Sequence, residues 1–339
     1  MILLSLHLDK NNPFMITQIS PKVTIIIPNY NGVQHLTYCL PFVMAQTYPN
    51  FEIVLVDNGS TDNSISFIKQ HFPQILLIAN KSNLGFAEAN NLAIQATTAP
   101  YIITLNNDTL VKDNWLSEMM NVAQSQAKVG MVACKILNLR YYHLMDSAGM
   151  DIDQAGMAWN RYHNLPNNPT EIEPYEVFCP SGAAALYKRA MLEETGLFDE
   201  AFFAYCEDMD LGWRGRLMGW QCLYVPTAIV YHYHSATSKQ GSKFKRYLIS
   251  RNRIWTVLKN YPDIWLNLPQ LIFYDTLAMV YRTIKEKNLT PIYGRVAIIP
   301  QLKWMLQQRH ITQQKRVITS QQLKILMLPP IDLFKAFKL

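Results

Sequence analysis

Short apolar runs rich in β-branched residues alternate with longer amphipathic stretches between Val23 and Asp108. The runs that predict strands are Val23–Pro28, Phe51–Val56, Gln74–Ala79 and Tyr101–Leu105. The stretches that predict helices are 34–46, 63–71 and 86–96. Buried strands separated by helices are typical of βαβ units. We therefore predict an α/β fold with a mostly parallel sheet that is covered on both faces.

The pattern weakens after residue 130 and then returns in the second half of the same predicted domain. We predict a strand over Phe178–Tyr187, a helix over Glu207–Gly219 and a strand over Ala228–His234. From about residue 239 the pattern is that of helices with basic faces. These helices are interrupted at Pro262, Pro269, Pro291 and Pro300.

Three segments follow from this pattern. Residues 1–21 form an N-terminal segment that we expect to be poorly ordered, 22–238 form the α/β domain, and 239–339 form a basic helical extension. The apolar run at the N-terminus lacks a basic start and a cleavage site, so no signal peptide is predicted. The five cysteines are odd in number and widely spaced, which favours a reducing, cytoplasmic compartment.

Charge is divided unevenly along the chain. Residues 1–238 carry 13 Lys and Arg against 21 Asp and Glu, whereas residues 239–339 carry 18 against 4. The acidic part argues against general nucleic-acid binding. The basic, aromatic extension has the composition that an anionic membrane surface attracts, at roughly 1 kcal/mol per well-placed Lys or Arg. We therefore expect a peripheral protein on the inner face of the cell membrane.

One apolar run, Ile264–Tyr281, raises the alternative of a membrane-spanning helix. Asn267, Pro269, Gln270 and Asp275 interrupt it. The pattern therefore favours a basic amphipathic helix that lies on the membrane surface.

Polar clusters stand where three of the predicted strands end. They are Asn29–Gly32 after the first strand, Asp57–Asp62 after the second and Asn106–Asp108 after the fourth. Open α/β sheets bind ligands at the carboxyl ends of their strands, so the three loops predict one site. Asp57 comes too early to cap the following helix, which leaves it available for a base or ribose hydroxyl.

Taken together, the motifs of residues 22–256 resemble family 2 glycosyltransferases, a large group with the GT-A fold that includes rhamnosyltransferase-like enzymes. The motifs are Ile27–Asn31, Val56–Asp62, Asn83–Ala87 with Asn90-Asn91, Leu105–Asp108, Gly182-Ala183, Phe198-Asp199, Tyr205–Leu211 with Arg214, His232, and Arg251-Asn252. A single motif of this kind is weak, but their number and order are specific.

The resemblance implies a set of residues that bind the nucleotide-sugar donor. They are Pro28, Asn29, Tyr30, Asn31, Asp57, Asn83, Gly85, Phe86, Asn90, Asn107 and Gly182. Gly182-Ala183 would line either the donor diphosphate or the acceptor pocket, with a simple turn as the alternative. For the region around Arg251-Asn252, contact with the donor phosphate and docking on a membrane remain competing interpretations.

The resemblance also implies a divalent metal, Mg²⁺ or Mn²⁺, held by Asp108 and His232. Such a cation neutralises a diphosphate leaving group as the glycosidic bond breaks. The usual D-x-D motif stands here as Asn106-Asn107-Asp108, which leaves the role of Asn106 open. A strand-end turn is the alternative for this tripeptide. The neighbouring Ser235–Thr237 favours His232 over His234 as the ligand.

By the same resemblance, Asp208 is the general base that removes the proton of the acceptor hydroxyl, so that in-line attack inverts the anomeric centre. The alternative is that Glu207 and Asp208 only stabilise the start of a helix. Asp210 is interpreted as the structural partner of Arg214 at i,i+4.

The sequence thus predicts an inverting transfer from a dTDP-rhamnose or UDP-hexose donor to a cell-envelope glycan or lipid-linked acceptor. A nucleotidyltransferase is disfavoured because its glycine-rich basic loop is missing, and a dehydrogenase because no G-x-G-x-x-G follows the first strand. A non-catalytic nucleotide-sugar-binding or scaffold protein derived from such an enzyme is the remaining alternative.

Overall fold

A computed structural model describes residues 20–233 and 242–330 of the chain. Its strands are β1 Val23–Asn29, β2 Phe51–Asp57, β3 Leu76–Ala79, β4 Tyr101–Leu105, β5 Thr109–Val111, β6 Val129–Asn138, β7 Met145–Ser147, β8 Met150–Ile152, β9 Ala158–Asn160, β10 Tyr175–Glu176, β11 Ala184–Lys188 and β12 Gln221–His232. Its α-helices are α1 Val33–Met44, α2 Ser64–His71, α3 Gly85–Gln95, α4 Trp115–Ser125, α5 Arg189–Thr195, α6 Glu207–Leu217, α7 Lys243–Asn260, α8 Ile264–Glu286, α9 Thr290–Val296, α10 Leu302–Gln314 and α11 Ser320–Leu326.

The main sheet has the strand order β10-β12-β6-β11-β4-β1-β2-β3. β1 pairs in parallel with both β2 and β4, and β2 pairs in parallel with β3. β11 then enters antiparallel between β4 and β6. The predicted α/β class and the parallel half of the sheet are confirmed, while the second half is mixed. In this register Asn29 lies beside Asp57, so the first two polar loops leave the same edge.

Alternating side chains of β1 pack into two different cores. Ile25 and Ile27 are fully buried on one face, together with apolar residues of α1 and α4. Ile26 is fully buried on the opposite face, together with apolar residues of α3. A strand covered on both faces cannot alternate apolar with polar residues, which is why β1 is continuously apolar in sequence.

The structure changes several predicted boundaries. The strand predicted over Ala228–His234 begins earlier, at Gln221. Residues 178–183 do not extend the strand that begins at Ala184; they form a buried turn through Pro180. Their apolar character reflects burial, since Phe178 and Cys179 pack with Trp213. Pro269 does not interrupt a helix but lies within α8. It stands in the second turn, where a missing backbone N–H removes a single hydrogen bond near the helix start.

We call residues 20–233 the sheet region and residues 242–330 the helical region. Helix α7 connects the two, because it packs against α6 of the sheet region and against α9 and α10. Trp213 of α6 and Tyr261, just after α7, meet edge to face in a third apolar core. No helix within the described parts of the chain is long and apolar enough to cross a bilayer. Most of the predicted N-terminal segment, together with His234 and Ser235–Thr237, lies outside the described residues.

Candidate functional site

A chain of buried polar side chains joins the loops after β1, β2 and β4. Asn29 Nδ2 donates to Asp57 Oδ2 at 2.9 Å, and Asn29 Oδ1 accepts from Asn107 Nδ2 at 2.7 Å. Asp57 is fully buried and also accepts from the backbone N–H and the hydroxyl of Ser60. Asp57 therefore fixes the shape of the loop that follows β2.

Gly32 fits tightly against this chain of bonds. A Cβ atom at position 32 would overlap Asn107 Nδ2 and Asn29 Oδ1. Tyr30 and Asn31 stand at the exposed rim just before it, and Pro28 is partly buried at the end of the strand. Asn31 Oδ1 accepts from the Thr61 N–H at 2.7 Å, which ties the first loop to the second. The two loops form a polar rim with fixed backbone geometry.

The start of α3 contributes a further group of predicted donor-binding residues. The exposed Asn83 accepts from the N–H of Gly85, whose φ of +86° favours glycine. A side chain at position 85 would also overlap the carbonyl of Phe203. Phe86 packs edge to face on Phe198, so its ring lies in the core. Asn90 is likewise fully buried, one helical turn further on.

Asp108 and His232 face each other at the end of β4 and β12. His232 Nε2 lies 3.2 Å from Asp108 Oδ1, and His232 Nδ1 lies 2.6 Å from Asp146 Oδ2. The amide of Asn106 is 3.4 Å from His232 Nε2. All three residues of the acid–histidine–acid row are buried. Burial alone would lower the pKa of His232, but hydrogen bonds and charge from Asp108 and Asp146 raise it to about 10.

The donor set of this row fits a divalent metal in part. A carboxylate oxygen and an imidazole nitrogen stand together, and the second carboxylate fixes the ring from its other nitrogen, as is usual for histidine ligands. Within residues 20–233 and 242–330 no group of three or more His, Cys, Asp and Glu side chains is arranged to hold a metal ion. A metal here would take its remaining ligands from substrate and water.

Asp208 stands in the first turn of α6, and its carboxylate is held by backbone donors. Oδ2 accepts from the Gly182 N–H at 2.7 Å, and Oδ1 accepts from the Met209 N–H at 2.8 Å. The N–H of Asn106 in turn donates to the carbonyl of Ala183 at 2.9 Å. The turn at Gly182-Ala183 therefore joins Asp208 to the loop that carries Asp108.

Burial raises the pKa of Asp208, although the N–H groups of Gly182 and Met209 oppose the shift. Burial also raises the pKa of Glu207 well above its usual range, and the adjacent charge of Asp208 adds to this effect. Glu207 Oε2 has no hydrogen-bond partner among the described residues. A carboxylate with a raised pKa is a stronger proton acceptor, which suits the role predicted for Asp208.

The backbone before Asp208 is unusual. Phe203, Tyr205 and Cys206 have φ between 65° and 68°, a region in which non-glycine residues are uncommon and which costs of order 1–3 kcal/mol each. Asn252 of α7 stabilises this segment, because its Nδ2 lies within 2.9 Å of the carbonyls of Phe202, Ala204 and Tyr205. We call residues 202–206 the base loop.

Arg251 contacts the same segment. Its Nη2 donates to the carbonyls of Ala201 and Phe202, and its guanidinium stacks on Trp255. These contacts place Arg251 and Asn252 behind the base loop. Neither of the two competing interpretations drawn from the sequence, donor phosphate or membrane, describes these bonds.

The structure thus brings the predicted residues into two neighbouring groups. The first contains Asn29, Asp57, Asn107 and the rim residues, and the second contains Asp108, His232, Asp208 and Gly182. Sequence reasoning missed Asp146 and the bonds of Asn252 to the base loop. Asp146 stands in a short strand with no motif around it, so no local signal marked it.

Solved structures with this fold are glycosyltransferases of the GT-A type. The chain is similar to GalNAc-T7, solved with UDP, GalNAc and Mn²⁺, at a TM-score of 0.60 and 19% identity, over 73% of this chain and 49% of that one. It is similar to the mannosyltransferase PcManGT of Pyrobaculum calidifontis, solved with GDP-Man and Mn²⁺, at a TM-score of 0.52 and 19% identity, over 87% and 86%. The fold is therefore GT-A.

The sequence profile of glycosyl transferase family 2 matches residues 24–196. The chain belongs to glycosyl transferase family 2, and it is a glycosyltransferase.

Two curated relatives are each 28% identical to it. One is the O-antigen biosynthesis protein RfbC of Myxococcus xanthus, aligned over 65% of this chain but only 18% of the relative. The other is the N-acetylglucosaminyl-diphospho-decaprenol L-rhamnosyltransferase of Mycobacterium tuberculosis, aligned over 66% of this chain and 78% of the relative.

Proposed function

We propose that this glycosyltransferase moves a sugar, with inversion, from a nucleotide-diphosphate donor to a hydroxyl group of a cell-envelope glycan or lipid-linked acceptor. The observation that carries the proposal is the placement of Asp208. Its carboxylate is bound to Gly182, and the adjoining Ala183 is bound to the loop of Asp108. In-line displacement requires a base that reaches the acceptor hydroxyl on the side of the anomeric carbon opposite the diphosphate, and we assign that role to Asp208.

In the proposed reaction the acceptor oxygen attacks the anomeric carbon from the face opposite the nucleotide. A new carbon–oxygen bond forms as the bond to the diphosphate breaks, and the nucleoside diphosphate leaves with the electron pair. Asp208 accepts the hydroxyl proton. Its raised pKa favours that transfer, and the N–H groups of Gly182 and Met209 keep the carboxylate in position.

The residues that would hold a divalent metal, Mg²⁺ or Mn²⁺, are Asp108 and His232. When bound, the cation would supply positive charge to the departing diphosphate. The Mn²⁺ found with the two GT-A structures supports this assignment. Asp146 and Asn106 keep the His232 ring oriented toward Asp108.

The donor would lie across the polar rim of Tyr30 and Asn31, with the buried Asn29 and Asn107 beneath it. A dTDP-rhamnose or UDP-hexose donor is supported by the rhamnosyltransferase among the relatives and by the UDP of the GalNAc-T7 structure. The names of both curated relatives support an envelope or lipid-linked acceptor. We place the enzyme in the cytoplasm, at the inner face of the membrane.

The proposal is tested by calorimetric titration of the full chain with UDP, dTDP and GDP, first with Mn²⁺ and then with a chelator. We expect micromolar binding of one nucleotide that weakens on chelation. The preferred nucleotide then selects the panel of sugar donors for a transfer assay. If none of the three binds with or without Mn²⁺, the donor and metal assignments are wrong and the non-catalytic alternative gains support.

A further inference from the structure

Helix α8 presents its apolar side chains outward and its acidic side chain inward. Asp275 is the single charged residue between Ile264 and Tyr281. It forms ion pairs with Arg253 of α7 and Arg295 of α9, so it faces the protein. The exposed apolar side chains of α8 are Trp265, Leu266, Ile272, Phe273, Val280 and Ile284. Leu266 is 83% exposed and Trp265 is 64% exposed.

The next helices continue this arrangement. Thr290 at the start of α9 and Thr312 near the end of α10 are buried. Between residues 289 and 306 the exposed large apolar side chains are Leu289, Tyr293, Val296, Ile299, Leu302 and Leu306. Their spacing of three or four residues puts those within each helix on one side of it. We call these side chains and the exposed ones of α8 the α8–α10 face.

A water-facing surface of this kind is unusual for a protein that works alone in solution. Single exposed apolar residues are common, but a contiguous patch marks an interaction site. At about 1.5 Å per residue, the 23 residues of α8 alone extend for about 35 Å. Along α8 the exposed apolar side chains recur on one side of the helix, so this helix alone offers an apolar partner a contact of that length.

The charges around the face identify that partner. Arg282, Lys285 and Lys287 are exposed toward the end of α8, and Lys303 is exposed at the start of α10. Between residues 264 and 311 the sequence holds six Lys and Arg against two acids. Arg295 pairs with Asp275, and Arg309 donates to carbonyls of Leu258 and Tyr261, so four cations are left against one other acid. A second copy of this chain would bring like charges together, whereas an anionic bilayer offers both hydrocarbon and negative headgroups.

We infer that the α8–α10 face docks on an anionic lipid bilayer, with its apolar side chains in the headgroup–acyl boundary and its cations among the phosphates. The inference rests on the proposed function in one respect: an enzyme that uses a lipid-linked acceptor has to work at the bilayer surface. The docking holds α7 at the membrane, and through Asn252 the same helix supports the base loop.

The test is co-sedimentation of the full chain with vesicles of phosphatidylcholine alone or with about one-third phosphatidylglycerol. We expect binding to the mixed vesicles and weak binding to the neutral ones. Removing three apolar anchors in Leu266→Ser/Ile272→Ser/Phe273→Ser should weaken binding to mixed vesicles by more than about tenfold. Arg282→Gln/Lys285→Gln/Lys287→Gln should also weaken it, by about fivefold for each charge that contacts the surface, and this loss should shrink as salt rises.

A matched control removes apolar side chains of similar exposure from the sheet region, in Leu165→Ser/Ile172→Ser. This variant should bind vesicles as the unchanged protein does. The inference is wrong if the unchanged protein stays in the supernatant with mixed vesicles, or if the three serines leave binding unaltered. It is also wrong if light scattering shows a dimer that the three serines convert to a monomer, since the face would then join two copies.

Nucleotide binding measured without vesicles separates this inference from the proposed function. The serine variant should keep the nucleotide affinity of the unchanged protein, because its substitutions lie on α8, away from the polar rim. Loss of vesicle binding with intact nucleotide binding supports the docking surface. Intact vesicle binding in a protein that binds no nucleotide would refute the proposed function and leave the docking surface standing.

Discussion

The sheet region (residues 20–233) and the helical region (residues 242–330) both bury apolar residues, but they differ in where their polar and apolar side chains are exposed. In the sheet region the apolar residues of β1 and β2 are inside, and polar side chains gather at the strand ends. In the helical region an acid of α8 points inward while tryptophan, leucine and phenylalanine point outward. On the proposed function, the polar strand ends of the first region would bind the donor, and the apolar face of the second region would contact the bilayer.

The two regions are nevertheless connected through α6 and α7. Asp210 of α6 is fully buried and bonds to Lys259 and Asn260 of α7. Asn252 of α7 donates to the carbonyl of Tyr205 in the base loop, two residues before Glu207. The two regions therefore differ in their surfaces, while the helix that carries Asp208 packs against both of them. The predictions below separate these contributions, beginning with the largest effect.

Asp208→Asn should lower the rate of sugar transfer by about 10²–10⁴-fold, because the amide cannot accept the hydroxyl proton. Nucleotide affinity should stay within a factor of a few, since the amide oxygen can still accept from the Gly182 N–H. Transfer is measured in a coupled nucleotide-release assay and affinity by calorimetry. Near-normal transfer by this variant would show that another group is the base.

Asp210→Asn should lower the free energy of unfolding by about 3–5 kcal/mol, because Arg214 loses its buried carboxylate and Lys259 keeps only Asp199. Urea denaturation measures the change. Asp113→Asn, at an exposed position, is the control and should change stability by less than about 0.5 kcal/mol. A small effect at Asp210 would mean that the two regions are joined mainly by apolar packing.

The Asp210 effect should also depend on pH. Burial alone would raise the pKa of Asp210, but Lys259 and Arg214 lower it below the usual carboxyl value. A lowered folded-state pKa gives stability that is fully present above the unfolded value of about 3.9 and is lost as pH falls through the folded value. The difference between the unchanged protein and Asp210→Asn should therefore be constant at neutral pH and shrink below about pH 4.

Asp146→Ala should weaken Mn²⁺ binding in the presence of nucleotide by about 10–100-fold, because His232 loses the carboxylate that orients its ring and raises its basicity. Electron paramagnetic resonance of free Mn²⁺ measures the affinity. Asp151→Ala is the matched control, since Asp151 is a nearby carboxylate paired with Arg161. Equal losses in both variants would argue for general destabilisation, and an unchanged affinity at Asp146 would argue against His232 as a ligand.

The sequence predicted the parts of this molecule that depend on local pattern. The four strands predicted in the first half are present in the structure, because strands of a parallel sheet are continuously apolar in sequence. The predicted pair of Asp210 and Arg214 forms because the two residues are one helical turn apart. The role of Asp146 depends on a residue 86 positions away, and that of Asn252 on a loop about 50 positions away. Such contacts are set by the tertiary fold, so no local pattern could indicate them.

Asn252→Ala should lower stability by about 1–3 kcal/mol, because three carbonyls of the base loop lose their donor. It should also lower turnover by about tenfold with little change in nucleotide affinity, since Asp208 is displaced while the polar rim is intact. Asn260→Ala separates the two effects, because Asn260 is an equally buried amide of α7 that bonds to Asp210 instead. A comparable loss of stability with normal turnover in Asn260→Ala, and reduced turnover in Asn252→Ala, would show that the helical region positions the catalytic base. If the two variants have equal turnover, Asn252 has no specific role in positioning Asp208, and catalysis depends on the sheet region alone.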